Sequence, residues 1–116
     1  MEEPRVKRQD IEALRDQIVR RFQPRKIILF GSHAKDAAGV DSDVDLLVIT
    51  EFEGSPIRKE IEMSLGLEHR FPLDLLVRTP QDVAMRCALN DIFIQDILKT
   101  GQVLYDADRR GMAARG

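Results

Sequence analysis

A chain of 116 residues is expected to hold one hydrophobic core, which excludes a catalytic domain joined to a separate acceptor-binding domain. Eighteen Lys and Arg against 20 Asp and Glu leave a net charge of −2 with the signs interspersed, so direct nucleic-acid binding is not expected. The single cysteine, Cys87, cannot form an internal disulfide, no apolar run reaches membrane-spanning length, and the start Met1-Glu2-Glu3-Pro4-Arg5 lacks the apolar segment of a secretory signal, so a cytoplasmic protein without a membrane partner is expected.

Ile11, Leu14, Ile18 and Phe22 recur at three and four residues and predict an amphipathic helix that Pro24 closes. The apolar run Ile27 to Phe30 suits a buried strand, and Gly31-Ser32 ends it where the chain turns into a short helix. Gly39 to Ser42 reads as a loop, and Asp43-Val44-Asp45 leads into a second strand through Ile49. Gly54-Ser55-Pro56 opens another helix, with Ser55 as N-cap, Pro56 at the first helical position, Ile57, Ile61 and Leu65 expected to face inward, and an end near Gly66. Leu73 to Val77 forms a strand with Asp74 set into it. Thr79-Pro80 starts a helix whose buried side is expected at Val83 and Cys87. A last helix spans Asp91 to Lys99 with Gly101 as C-cap, and Val103-Leu104-Tyr105 adds a short strand. Residues 1–108 read as a single domain and 109–116 as a flexible tail. The order predicts an α/β fold, a small mixed sheet of three to four strands, with helices over one face and the acids at an open edge or face.

The acids carry the chemistry. Asp43 and Asp45 sit two apart on a strand, so both carboxylates point to one face, about 6 to 7 Å apart, and need a counterion. An Asp-x-Asp taken alone is commonly a solvated turn, but this one runs directly into Leu46-Leu47-Val48-Ile49. An ionised Asp74 in an apolar strand costs several kcal/mol unless it is paired or metal-bound, and its alternative role is to guard an edge strand against aggregation. If the Asp74 strand lies beside the Asp43 strand, about 4.8 Å away, three carboxylates converge on a site suited to Mg²⁺. The turn at Gly31-Ser32 lets backbone approach a phosphate closely, beside free N–H groups at a helix start. His33 reads as a helix-surface residue, and Lys35 as a phosphate contact or a solvated lysine.

Gly31-Ser32, Asp43-Val44-Asp45 and Asp74 resemble the nucleotidyltransferase superfamily of DNA polymerase beta, and the short chain is similar to its minimal (MNT) branch; the resemblance runs from about Lys26 to Val77. It implies a polymerase beta palm-like fold in which the first two core strands pair antiparallel. It implies that Gly31, Ser32 and Lys35 bind the triphosphate of ATP as donor, that Asp43 and Asp45 are ligands shared by two Mg²⁺ ions, and that Asp74 completes the first metal site and helps activate the acceptor hydroxyl. Small MNT proteins are commonly antitoxins of HEPN-type toxin partners, and the implied activity is adenylylation of a tyrosine on that partner.

Where such proteins often carry Gly-Ser-x-Ala-Arg-Gly, this chain has Gly31-Ser32-His33-Ala34-Lys35-Asp36. Lys35 keeps a positive charge but loses the bidentate fork of arginine, and Asp36 opposes a triphosphate when its side chain turns inward. Two rival readings are a non-catalytic binding module that neutralises a partner, and a subunit of a small-molecule nucleotidyltransferase. Partner contact is expected around the helices after Thr79, where Ile92-Phe93-Ile94 is too apolar for one helix to bury on a single side.

Overall fold

The structure, a computed structural model, describes residues 6–35 and 43–109. The elements are α1 (Arg8–Phe22), β1 (Lys26–Phe30), β2 (Val44–Ile49), α2 (Pro56–Gly66), β3 (Leu73–Arg78), α3 (Pro80–Ala88), α4 (Ile92–Thr100) and β4 (Gln102–Asp106). The strands form one mixed sheet in the order β3-β2-β1-β4. β1 pairs antiparallel with both β2 and β4, while β2 and β3 run parallel.

Local chemistry sets most boundaries. The α1 stripe buries Ile11, Leu14 and Ile18 as the spacing predicts. At its end Gln23 turns left-handed and donates its N–H to the Val19 carbonyl, after which Pro24 cannot continue the helix. Ser55, Thr79 and Asp91 cap α2, α3 and α4 by accepting N–H groups from Arg58, Asp82 and Ile94. Gly101 is the C-cap of α4, but its φ is −72°, open to any residue. Glycine is needed there for space, because a Cβ would press on Ile28 Cγ2 and the Ile97 carbonyl.

Helices cover both faces of the sheet rather than the expected one. Val44, Leu46 and Val48 of β2 point into a core with Leu14, Ile18 and Met63, under α1 and α2. Leu47 and Ile49 point the other way, into a second core with Val83, Ile94 and Ile97 of α3 and α4. Strands buried on both sides have no polar face to alternate, which accounts for the continuous apolar runs of β1 and β2.

The inward face of α2 also differs from the expectation. Ile57, Ile61 and Leu65 are exposed, and Met63 is the residue buried against the sheet. The reason lies at the sheet's edge. β3 is an outer strand, and the Glu60 carboxylate accepts the Val77 N–H at 2.9 Å and pairs with Arg78 at 2.8 Å. Satisfying an edge N–H fixes the rotation of α2, and the stripe at 57, 61 and 65 is left facing outward. Asp82 continues the network, accepting from Arg86 at 3.0 Å, and Arg86 reaches the α4 cap Asp91 at 3.2 Å.

The chain remains tied beyond β4. Asp106 pairs with Lys26 at 3.7 Å, Ala107 N–H donates to the Arg25 carbonyl, and Arg109 N–H donates to Asp106 Oδ1 at 3.4 Å. Arg109, the first residue of the expected tail, is thus held by its backbone, and the rest of that segment, 110–116, lies outside the described residues. No described helix is long and apolar enough to cross a membrane.

Candidate active site

Strand register brings the predicted acids together. In the parallel β2–β3 ladder Asp45 stands directly beside Asp74, and in the antiparallel β1–β2 ladder Asp45 stands opposite Phe30. Asp43 lies two residues before Asp45, just ahead of β2, whose start is held by the Val44 N–H donating to the Pro72 carbonyl at 2.9 Å. Strand alternation puts Asp43 and Asp45 on the face of Leu47, and Asp74 on the face of Leu76, which is the α3/α4 side. Asp45 is half-buried, while Asp43 and Asp74 are exposed.

Burial, then Asp74, then Asp43, push the Asp45 carboxyl above its ordinary value, and His33 pulls it back. Both neighbouring acids disfavour ionising Asp45, as expected for like charges at close range. His33 was expected at a helix surface; it lies half-buried in the turn after β1, within electrostatic reach of Asp45. Only its place one residue after Ser32 hinted at this, since the proximity is made by the β1–β2 pairing.

Gly31 ends β1 with φ +77°, a left-handed conformation. A Cβ there would overlap Asp45 Oδ2, so glycine is what lets the turn pass against the carboxylate. Ser32 and Lys35 follow in successive turns, with Ala34 N–H donating to the Gly31 carbonyl and Lys35 N–H to the Ser32 carbonyl, both at 3.2 Å. Ser32 is half-buried and Lys35 exposed. Of the helix expected after Gly31-Ser32, the described residues contain only these turns; Asp36 and the loop from Gly39 to Ser42 lie outside them.

The donors are hard oxygens facing one way, the chemistry that suits a divalent cation such as Mg²⁺. Among the described residues, however, no three acidic, His or Cys side chains are gathered tightly enough to hold an ion unaided. A cation that takes one or two carboxylates and fills its shell with water and phosphate oxygens matches this open set.

Phe30, the register partner of Asp45, is covered by Phe93 of α4. The Phe93 ring meets Phe30 edge-on at 5.9 Å, and Met85, Leu89, Ile92 and Phe93 are all more than half exposed. Ile94, from the same run, is buried.

Comparison with known proteins agrees with this geometry. A solved structure of a "putative nucleotidyltransferase" from Sulfolobus solfataricus superposes with a TM-score of 0.53 at 17% identity, covering 64% of this chain and 68% of that one, a likeness of fold. No curated protein sequence matches the chain. The sequence pattern of the family described as "Polymerase beta, Nucleotidyltransferase" matches residues 12–110, from within α1 to beyond β4, and the chain belongs to that nucleotidyltransferase family.

Proposed function

We propose that the protein transfers AMP from ATP to a hydroxyl on a partner protein, with Mg²⁺ as cofactor. The observation that carries the reading is the register of Asp45 beside Asp74, with Gly31 against the Asp45 carboxylate. Asp43 and Asp45 would hold the ions in common, and Asp74 would complete the site nearest the acceptor. Held by these residues, a divalent cation would supply charge neutralisation for the phosphates. Ser32 would donate its hydroxyl to a phosphate oxygen, and Lys35 would add positive charge at the triphosphate. The acceptor hydroxyl loses its proton towards the Asp74 carboxylate and bonds to the α-phosphorus; the bond from that phosphorus to the bridging oxygen breaks, and pyrophosphate leaves.

A protein acceptor is supported by the exposed apolar side chains Met85, Leu89, Ile92 and Phe93 on the helices that cover the face of the acids, of a kind that marks protein contact. Resemblance to the MNT branch makes a HEPN-type toxin the partner, with the protein as its antitoxin. The test is to incubate the protein with its co-encoded partner, Mg²⁺ and ATP, and weigh the partner intact. A gain of one adenylyl group that disappears with Asp74→Asn, and with a folded Asp43→Asn/Asp45→Asn variant, supports the reading. A stable complex that silences an unmodified partner would instead make the protein a binding module.

A further inference from the structure

The outward stripe of α2 has no role in the site described above. Ile57, Ile61 and Leu65 are 68%, 56% and 83% exposed, on a helix about 16 Å long at roughly 1.5 Å per residue. They are spaced by four, so they form one continuous ridge of the kind that packs against a like ridge on another helix at about −50°. α2 contributes Met63 to the core on the α1 side of the sheet, opposite the face that carries the acids.

We propose that this ridge is a homodimer contact, α2 against α2 of a second copy about a two-fold axis through Ile61. The charges beside the ridge are self-complementary for that arrangement. Arg58 and Glu62 lie on the same flank of the stripe, one turn apart, with Ile61 between them in height. A two-fold axis that reverses one helix brings Arg58 of each copy beside Glu62 of the other, forming two reciprocal pairs. A parallel two-fold arrangement would put the two Arg58–Glu62 flanks on opposite sides of the contact, where no such pairs form. Arg58 makes no ion pair among the described residues, and the only partner of Glu62 among them is Lys59, at 3.2 Å on the exposed surface. The contact leaves the Asp45 face of both copies open, so two sites and two partners are carried on one dimer.

Three apolar anchors per copy make a smaller contact than the roughly 1,600 Å² of a standard interface, which places the dimer in the weak, concentration-dependent class. Sedimentation equilibrium from micromolar to near-millimolar protein should show the mass rising from one chain to two. Ile61→Asp should hold it at one chain without changing the melting temperature by more than a degree or two, since Ile61 is exposed. Arg58→Glu and Glu62→Arg should each weaken association about tenfold, and the double swap should restore it, because in the two-fold arrangement each exchanged side chain again meets the opposite charge on the other copy. A parental protein that stays monomeric throughout, or a dimer indifferent to Ile61→Asp, overturns the proposal. A double swap no better than the single variants would overturn the two-fold geometry.

Discussion

Gly31→Ala separates what the turn contributes to stability from what it contributes to the site, provided it is read against Gly54→Ala. Both glycines have positive φ, +77° and +92°. An L-residue in the left-handed region costs about 1–2 kcal/mol, offset by about 0.4–1 kcal/mol because alanine narrows the unfolded ensemble. Gly54→Ala should show only this net loss, about 1 kcal/mol or less, since nothing lies within 4 Å of its added methyl. Gly31→Ala carries the same loss plus the overlap with Asp45 Oδ2. That atom ends a rotatable side chain, so the carboxylate swings aside at a further cost of about 1–2 kcal/mol rather than unfolding the strand. The pair should therefore differ by about 4–8 °C in melting temperature, at roughly 4 °C per kcal/mol.

The larger effect falls on nucleotide binding. On the proposed function Gly31 would buttress a metal-binding carboxylate, and loss of such support typically weakens metal affinity or activity about 10- to 100-fold. Titration calorimetry with ATP and Mg²⁺ should show that loss for Gly31→Ala and none for Gly54→Ala. If Gly31→Ala bound ATP as the parent does while melting like Gly54→Ala, the Asp45 carboxylate would not be needed where the turn holds it, and the site assignment would fail.

Two further outcomes follow from the same structure. The Asp45 carboxyl is raised in the folded state, so its protonated form favours folding at low pH and that contribution is lost as pH rises through the raised value; in a chelator, Asp45→Asn should melt higher than the parent at pH 7, with the gap closing below the ordinary carboxylate range. A gap that persists or reverses under acid would mean that the ionised Asp45, disfavoured by burial and then by Asp74 and Asp43, is not what lowers the parent's stability. Thr79→Ala removes the hydroxyl that accepts the Asp82 N–H at 3.1 Å, costing about 1 kcal/mol in chemical denaturation, whereas Ser55→Ala, whose bond is longer at 3.4 Å and exposed, should cost less; equal losses would refute the ranking.

How far the chain could be read follows from the range of each interaction. The caps at Ser55, Thr79 and Asp91 and the α1 stripe depend on residues within a turn of one another, and the structure places them as the spacing predicts. The orientation of α2 depends on Glu60 meeting Val77, 17 residues away, and no local pattern encodes that pairing. Two-sided burial was legible and was misjudged: Leu46-Leu47-Val48-Ile49 has no polar alternation, which is the mark of a strand covered on both faces. His33 required knowledge of how β1 pairs with β2 before its place near Asp45 could be seen.

The acids stood out because they are the polar breaks at one end of strands that are otherwise apolar, and the register explains why the fold accepts them. Asp45 and Asp74 lie near the starts of β2 and β3, beyond Leu47 and Leu76, where the packing of α3 and α4 over the sheet gives out. One residue further along each strand, Leu46 and Leu75 turn to the opposite core and are buried. The carboxylates are thus carried by backbone that both cores hold rigid, while their own heads reach solvent or stay half-covered. Such placement lets mutually repelling charges be fixed in position at small cost to the sheet. It also makes the acids separable from folding: replacing them should relieve repulsion while removing the groups that call for a cation. An Asp45 carboxyl disfavoured by burial and by its acidic neighbours, held on a rigid frame, is what the proposed function would use, and titration with ATP and Mg²⁺ decides whether a cation supplies the counter-charge.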